Sequence, residues 1–188
     1  MIEVAIIGIN HYDPLGREKV CRILCNDLID FAPDSVAVEW KQEIADKVFH
    51  QREKLKKELS QQYPFIETKD IELLSNAMAF EADAHIGIYP HLPIIWLDEE
   101  RNEKANDENV INFYIYRKEK YDSIIHRGIN NITDISNFIC NNSSLSMPNE
   151  RDLMFYNKLK KEIDKNGYSR IICIVGASHA NNKKISRF

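Results

Sequence analysis

Four short apolar runs, separated by longer segments of helical periodicity, constrain the fold of this chain more than any other feature of its sequence. The runs occupy residues 4–8, 35–40, 93–98 and 171–176. Short runs that are apolar throughout are typical of strands buried on both faces, and such strands occur in parallel sheets. Their alternation with helical segments predicts an α/β fold, in which a mostly parallel β-sheet is flanked by helices.

The segments between the runs predict the flanking helices. Apolar residues at helical spacing favour helices over residues 20–31, 42–60, 70–84 and 107–125. A last helix is expected to open near Asn149, which has the side chain of a good N-cap. Residues 130–148 are rich in Asn and Ser and predict a loop with a short helix. No linker interrupts the pattern, so residues 1–188 are expected to form a single domain.

The composition argues against some classes of function. The chain has 188 residues, a net charge of −4 and a sequence pI near 5.9, whereas nucleic-acid-binding proteins usually present a basic face. No apolar run approaches the ~20 residues that span a bilayer, and no basic leader precedes the first run. The four cysteines lack the spacing of a zinc site and are expected to be reduced thiols. We therefore expect a cytoplasmic protein with no membrane span and no nucleic-acid partner.

One short internal repeat marks the candidate functional site. Residues 4–11 and 172–179 share the same pattern of four apolar residues, a glycine, two further residues and a histidine. The histidines are His11 and His179, and the glycines are Gly8 and Gly176. The glycines are expected to let the backbone turn sharply and to bring each histidine over the sheet.

The other two runs each have a carboxylate at or next to their last residue. Glu39 and Asp98 lie at the carboxyl ends of their predicted strands, which is the edge where parallel sheets bind ligands. Two imidazoles and a carboxylate are a common ligand set for a divalent metal. We therefore expect His11, His179 and Glu39 to hold a Mn, Co, Fe or Zn ion, with Asp98 orienting a ligand. The alternatives are that each histidine is an ordinary hydrogen-bonded loop residue and that Asp98 caps the following loop.

Two helical residues add possible catalytic groups. Glu81 lies in an otherwise apolar helix, and if it faces the sheet edge, burial would suit it to act as a general base. Arg151 could supply a fixed cation that stabilises charge on a carbonyl oxygen. The alternatives are a solvent-facing Glu81 and a surface Arg151.

The order and spacing of these motifs resemble the TraB/PrgY/Tiki family, which is similar in turn to the erythromycin-esterase and ChaN-like groups. The most characteristic stretches are residues 33–39 and 175–179, and the resemblance spans nearly the whole chain. It implies a TraB/Tiki-like α/β domain over residues 1–188, with the two Gly-x-x-His motifs as pseudo-repeats. Tiki-type members act as metal-dependent proteases, and TraB and PrgY members are linked to shutting down bacterial peptide pheromones.

The resemblance also implies roles for individual residues. His11 and His179 match the paired motif histidines, and Glu39 matches the acid after the second strand. Glu81 matches the helical glutamate of the family. The pair formed by Glu150 and Arg151 matches the Glu-Arg pair near the last helix, which adds Glu150 to the candidate catalytic residues.

These observations predict a metal-dependent hydrolase that acts on a peptide or on another amide or ester bond. The alternative is a module that binds a peptide or small ligand in the same pocket without turnover, as in pheromone sequestration. That alternative is favoured by Ile9, where the family usually has a small hydroxyl residue. The chain also stops soon after its second motif, where relatives continue with a further helix, so an apolar sheet face or edge is expected to be covered in a homodimer.

Overall fold

The computed structural model describes residues 2–98, 107–142 and 150–180, and within them it contains one four-stranded sheet that is parallel throughout. The predicted α/β fold is therefore confirmed. The order of the strands across the sheet is β1-β4-β2-β3. Their bounds are β1 (Glu3–Ile9), β2 (Ser35–Val38), β3 (Ile94–Trp96) and β4 (Arg170–Gly176).

Helices connect and flank these strands. Their bounds are α1 (Gly16–Arg22), α2 (Gln42–Gln62), α3 (Thr68–Asn76), α4 (Asp107–Ile125), α5 (Ile132–Asn141), α6 (Glu150–Asn166) and α7 (Ala177–Ala180). A π-helical turn continues α1 over Ile23–Asp27, and a 3-10 turn covers Phe80–Ala82. In the described ranges, none of these helices has the length and apolar character needed to cross a membrane.

The two strands that bear the histidine motifs differ in their burial. β4 lies between β1 and β2, and every residue from Ile171 to Gly176 is buried. β1 is an edge strand, and only Ile7 and Ile9 along it are buried. The prediction that the first run is buried on both faces is therefore wrong, because periodicity cannot tell an edge strand from a central one.

Both faces of the sheet are covered by apolar side chains. One face packs against α1, the π-helical turn and Phe80, through residues that include Val36, Val38, Ile172 and Ile174. The other face packs against Phe155, Leu159 and Ile163 of α6. Alternate residues of one strand thus enter opposite layers, as the strand geometry requires. A further apolar cluster joins α2, α3, α4 and α5 beyond the sheet.

The helix predictions succeed where apolar spacing is regular and fail where the backbone departs from it. The helices expected over 42–60 and 107–125 correspond to α2 and α4. The helix expected over 70–84 is wrong in its second half, since α3 ends at Asn76 and Ala79 adopts a left-handed conformation with φ of 54°. That conformation is uncommon for a residue with a Cβ and cannot continue a right-handed helix. The predicted N-cap Asn149 lies outside the described residues.

Candidate active site at the carboxyl edge of the sheet

The four strand ends converge as the sequence predicts. His11 lies two residues after β1, Glu39 follows β2 directly, and Asp98 lies two residues after β3. His179 lies in the short helix α7, which follows β4 without a break. Since the strands are parallel, these four side chains approach one another at the same edge of the sheet.

Glu39 is the centre of this group. Its Oε2 lies 3.5 Å from Nε2 of His11, and its Oε1 lies 3.3 Å from Nε2 of His179. The backbone N–H of Gly176 donates to Oε2 at 2.5 Å, and Nη1 of Arg151 lies 2.8 Å from Oε1. Burial alone would raise the pKa of Glu39, but the hydrogen bond from His179 and the charges of its neighbours lower the pKa to about 2. Glu39 is therefore a buried carboxylate that stays ionised.

The ring of His11 is held from its other side by Glu81. Nδ1 of His11 lies 2.8 Å from Oε1 of Glu81, and the indole N–H of Trp40 donates to the same oxygen at 2.6 Å. Glu81 is fully buried, and its Oε2 has no hydrogen-bond partner in the described structure. Burial alone would lower the pKa of His11, but the charge and hydrogen bond of Glu81 and the charge of Glu39 raise it above 6.5.

His179 has a carboxylate partner of its own. Its Nδ1 is hydrogen-bonded to Oδ1 of Asp152, and its ring packs on Phe155 with the ring centres 5.2 Å apart. Burial lowers the pKa of His179, but the hydrogen bonds and charges of Glu39 and Asp152 raise it above 6.5. Each histidine thus directs Nε2 toward Glu39 and has its Nδ1 bonded to a different carboxylate.

Arg151 joins two of the strand-end acids. Its Nε donates to Oδ1 of Asp98 at 3.0 Å, its Nη2 is bonded to Oδ2 of Asp98, and its Nη1 reaches Glu39. This two-point contact with Asp98 fixes the plane of the guanidinium group. Asp98 therefore orients Arg151, whereas the sequence suggested that it orients a histidine.

The two motif glycines make space for neighbouring side chains. The prediction that they are needed for a sharp turn of the backbone is wrong. Neither has a positive φ; among the described glycines only Gly128 and Gly167 do. A Cβ on Gly176 would lie 2.5 Å from Nε2 of His11 and 3.1 Å from Oε2 of Glu39. A Cβ on Gly8 would lie 2.8 Å from the Cβ of Ala180 in α7. Each glycine thus makes room for the histidine segment of the other motif.

Side chains of helix α4 donate hydrogen bonds to the loop that follows β1. Arg117 is fully buried, and its Nη1 donates to the backbone carbonyl of His11, while the hydroxyl of Tyr121 donates to the carbonyl of Tyr12 at 3.2 Å. The guanidinium lies 4.5 Å from the ring centre of Tyr12 and 5.2 Å from that of Phe113. These contacts fix the backbone on which His11 is mounted.

His11 and Tyr12 line two neighbouring cavities. The first, of about 240 Å³, contains Glu39, Glu81, Asp98 and Arg151 and has apolar walls. We call it the aromatic cavity, after its residues Trp40 and Phe113. The second, of about 520 Å³, is called the lysine cavity, after its residues Lys19 and Lys120. His11 therefore has access to a ligand on two sides.

The structure gathers most of the predicted site residues but not all of them. Glu150 is the first residue of α6, has an exposed side chain and lines neither of the two cavities described above. Sequence reasoning missed Trp40, Arg117 and Asp152. Asp152 lies one residue past the predicted Glu-Arg pair, which is a signal that could have been followed. The sequence offers no comparable signal for Trp40 or Arg117, because their roles depend on how α4 and the 3-10 turn pack.

The donor set of the site is chemically suited to a divalent ion, although its carboxylate is already engaged. Metal-ligating histidines usually have the second ring nitrogen bonded to a carboxylate or carbonyl, and both His11 and His179 do. Both oxygens of Glu39 are bonded to other groups, however. Across residues 2–98, 107–142 and 150–180, no three or more His, Cys, Asp or Glu side chains already surround a common metal position. An ion would have to replace part of the hydrogen bonding of Glu39.

Comparison of the chain with family models, with curated proteins and with solved structures finds no match. The resemblance to the TraB/PrgY/Tiki family therefore stays a prediction from the motifs.

Proposed function

We propose that this protein is a hydrolase of amide or ester bonds and that His11 transfers the proton of the attacking water. The observation on which this depends is the arrangement of His11, whose Nδ1 is 2.8 Å from a fully buried carboxylate and whose ring borders two cavities. A histidine oriented by a buried carboxylate and open to substrate is a common general base.

In the proposed reaction, the neutral form of His11 has its proton on Nδ1, where it donates to Glu81. Its Nε2 accepts a proton from water as the water attacks the carbonyl carbon of the substrate. Glu81 stabilises the imidazolium that forms, and Nε2 then returns the proton to the leaving nitrogen or oxygen. Trp40 holds the carboxylate of Glu81 in place through its indole N–H.

Arg151 is the proposed partner of the carbonyl oxygen. It lines the aromatic cavity, and its guanidinium plane is fixed by Asp98 and Glu39. A cation that is already oriented costs little reorganisation as negative charge develops on the oxygen. His179 acts less directly, because it is buried and bonded to Glu39 and Asp152, and it supports the position and charge of Glu39.

We further propose that a divalent ion, Mn, Co, Fe or Zn, binds to His11, His179 and Glu39. When bound, such an ion would polarise the carbonyl and lower the pKa of a bound water. Ligation requires both imidazoles to be neutral, so metal binding would release protons from the two histidines. The ion pair between Glu39 and Arg151 favours the alternative of hydrolysis without a metal, in which the dyad of His11 and Glu81 suffices.

A specific observation supports binding without turnover as a second candidate function. Both histidines have pKa values raised above 6.5 by the surrounding carboxylates. An imidazolium cannot accept a proton from water, but it can donate a hydrogen bond to a peptide carbonyl or to a small anion. In their protonated form, the two histidines would therefore bind such a ligand and leave it intact.

The deciding experiment combines metal analysis with a cleavage assay. Metal content and metal affinity are measured for the wild type and for His11→Ala and His179→Ala, with His50→Ala as the control because His50 lies in α2 on an exposed position. The same four proteins are then incubated with a mixed library of peptides and ester substrates, and the products are identified by mass spectrometry.

The outcomes separate the candidates. Metal binding that both site variants lose, together with cleavage that they also lose, supports the metal-dependent hydrolase. Cleavage without metal, abolished by His11→Ala alone, supports the dyad mechanism. Cleavage by the wild type that His11→Ala does not affect contradicts the proposed role of His11. Retention of an intact ligand with no cleavage supports the binding module.

A further inference from the structure

The two cavities beside His11 have different chemical characters. The aromatic cavity has the indole of Trp40 and the ring of Phe113 as its apolar walls, with their centres 5.4 Å apart in an edge-to-face arrangement, and Ile44 also lines it. Such walls favour an apolar or aromatic group over a charged one. The catalytic groups and these walls share the same cavity.

The lysine cavity has a positive charge to offer a ligand. Lys19 is neutralised by Asp13, since its Nζ lies 2.5 Å from Oδ2, and the other oxygen of Asp13 accepts a hydrogen bond from Ser136 at 2.6 Å. Lys120 lines the same cavity from α4, and the described residues include no acidic partner for it. The balance of charge in this cavity therefore favours an acidic group of a ligand.

The two cavities lie next to each other, with His11 and Tyr12 between them. His11 and Tyr12 contribute to the lining of both, so a ligand that places a bond beside the His11 ring has one part on each side. Their volumes, about 240 and about 520 Å³, each suffice for a side chain with its backbone. A compact substrate would leave one of them empty.

We propose that the ligand of this site is an extended peptide that crosses His11, with an apolar or aromatic side chain in the aromatic cavity and an acidic side chain in the lysine cavity. In identifying the peptide as a substrate, the inference rests on the proposed function. Its binding can be measured without turnover, so the two can fail separately.

The test uses short blocked peptides and NMR spectroscopy. The bipartite peptides are acetyl-Phe-Gly-Glu-amide and acetyl-Glu-Gly-Phe-amide, which present the two side chains in both chain directions. The controls are the same peptides with Lys in place of Glu, and the single residues acetyl-Phe-amide and acetyl-Glu-amide. The chain has two tryptophans, so the indole N–H signal of Trp40 reports on the aromatic cavity, while that of Trp96 in β3 is an internal control.

We expect one of the two bipartite peptides to bind at least ~10-fold more tightly than either single residue, because the second contact is made at a high effective concentration. It shifts the Trp40 signal and leaves that of Trp96 in place. Lys120→Glu is expected to weaken binding of that peptide by about 10-fold, which is the effect of one well-placed charge pair at ~1.4 kcal/mol. Lys57→Glu, an exposed charge reversal on α2, leaves the affinity unchanged.

A second variant tests the other cavity. Phe113→Leu is expected to weaken the bipartite peptide and acetyl-Phe-amide by the same factor and to leave acetyl-Glu-amide unaffected. Peptides with Lys binding as tightly as those with Glu, or an affinity insensitive to Lys120→Glu in a folded protein, would overturn the inference.

The result also separates this inference from the proposed function. Selective binding of the Phe and Glu peptides without any new product peaks supports the inference and contradicts hydrolysis of this class of substrate. Cleavage of peptides regardless of their acidic and aromatic residues supports the hydrolase and overturns the inference.

Discussion

The two copies of the strand-Gly-x-x-His pattern resemble each other in sequence and differ in the structure. The side chain of His11 is 33% exposed and borders two cavities, whereas that of His179 is 7% exposed and packs on Phe155. Both rings direct Nε2 toward Glu39. One motif thus presents a histidine to ligands, and the other uses its histidine to complete the interior of the site.

The positions of the strands explain the difference. β1 is an edge strand, and the chain leaves it through a loop fixed by α4. β4 is central, and the chain passes directly from it into α7, where His179 packs on Phe155 of α6. The register pairs Ile9 with Gly176, so the two motifs are offset by one residue. An internal repeat in a sequence therefore need not give two equivalent functional residues.

The largest expected effect is on activity, and its size differs between the two histidines. His11→Gln is expected to lower kcat/KM by about 10³-fold for any substrate found, because the general base is lost. His179→Gln is expected to lower it by about 10- to 100-fold, as for residues that orient the reacting groups. Steady-state kinetics on folded variants, verified by circular dichroism, measures both. Equal losses would show that the two histidines act as one catalytic unit.

The loss of stability is expected to be larger for His179→Gln than for His11→Gln, which is the opposite of the order in activity. His179→Gln leaves the buried Asp152 without its histidine partner, and breaking a buried charged pair typically costs about 3–5 kcal/mol. His11→Gln costs less, since its ring is partly exposed and Trp40 still donates to Glu81. Urea unfolding of both variants gives the comparison. A larger loss for His11→Gln would contradict the assignment of His179 to the interior.

Substitutions of the two motif glycines test how closely the two motifs pack together. In Gly176→Ala the new Cβ would collide with Nε2 of His11, so we expect a loss of about 1–3 kcal/mol in stability and about 10- to 100-fold in kcat/KM. Gly8→Ala places its Cβ against Ala180 of α7, so a similar loss of stability and a smaller loss of activity are expected. Kinetics and urea unfolding on the pair test this. Equal activity in wild type and Gly176→Ala would refute the close approach of the two motifs.

The sequence predicts the part of the site that the sheet determines. His11 and His179 follow apolar runs, and Glu39 and Asp98 lie at the carboxyl ends of the other two. Parallel pairing brings such residues to one edge regardless of the details of packing. The order of the strands is not available from periodicity, so the edge position of β1, and with it the exposure of His11, could not be predicted.

The remaining partners depend on tertiary packing. Glu81 was expected on a regular helix, but it reaches His11 from a 3-10 turn that follows the left-handed Ala79. Asp152 and Arg117 project from α6 and α4, whose docking angles leave no pattern in the sequence. Nothing in a local window distinguishes a buried arginine that donates to a loop carbonyl from a surface arginine.

The stability of the site should depend on pH in a way that involves both histidines. Their pKa values are raised in the folded state, so their stabilising effect is fully present below pH 6.5 and is lost as the pH rises through the folded pKa values. The pKa of Glu39 is lowered from 4.5 to about 2, so its contribution of at most about 3 kcal/mol is present above pH 4.5 and lost as the pH falls. Stability of the site is therefore expected to be greatest between pH 4.5 and 6.5.

Activity should follow a different profile. Because only neutral His11 accepts a proton, kcat/KM is expected to rise above pH 6.5, in the range where the site loses stability. Unfolding free energies and rates measured from pH 4 to 9 test both curves. His179→Gln should reduce the alkaline decline in stability and leave the rising limb of the rate in place. A rate that falls in step with stability would contradict His11 as the base.

The smallest expected effect concerns the loop on which His11 is mounted. Arg117 donates to the His11 carbonyl, is stacked on Tyr12, and its charge opposes protonation of His11. Both Arg117→Lys and Arg117→Met remove the guanidinium group that stacks on Tyr12, at an expected cost of about 1–2 kcal/mol in stability. Only Arg117→Met also loses the charge, so the pKa of His11 should be higher in Arg117→Met than in Arg117→Lys. Titration of the imidazole signals by NMR measures this, with His179 as the internal reference. If the pKa of His179 shifted in parallel with that of His11, Arg117 would act on the whole site. The two motifs would then be more strongly coupled than their separate carboxylate partners indicate.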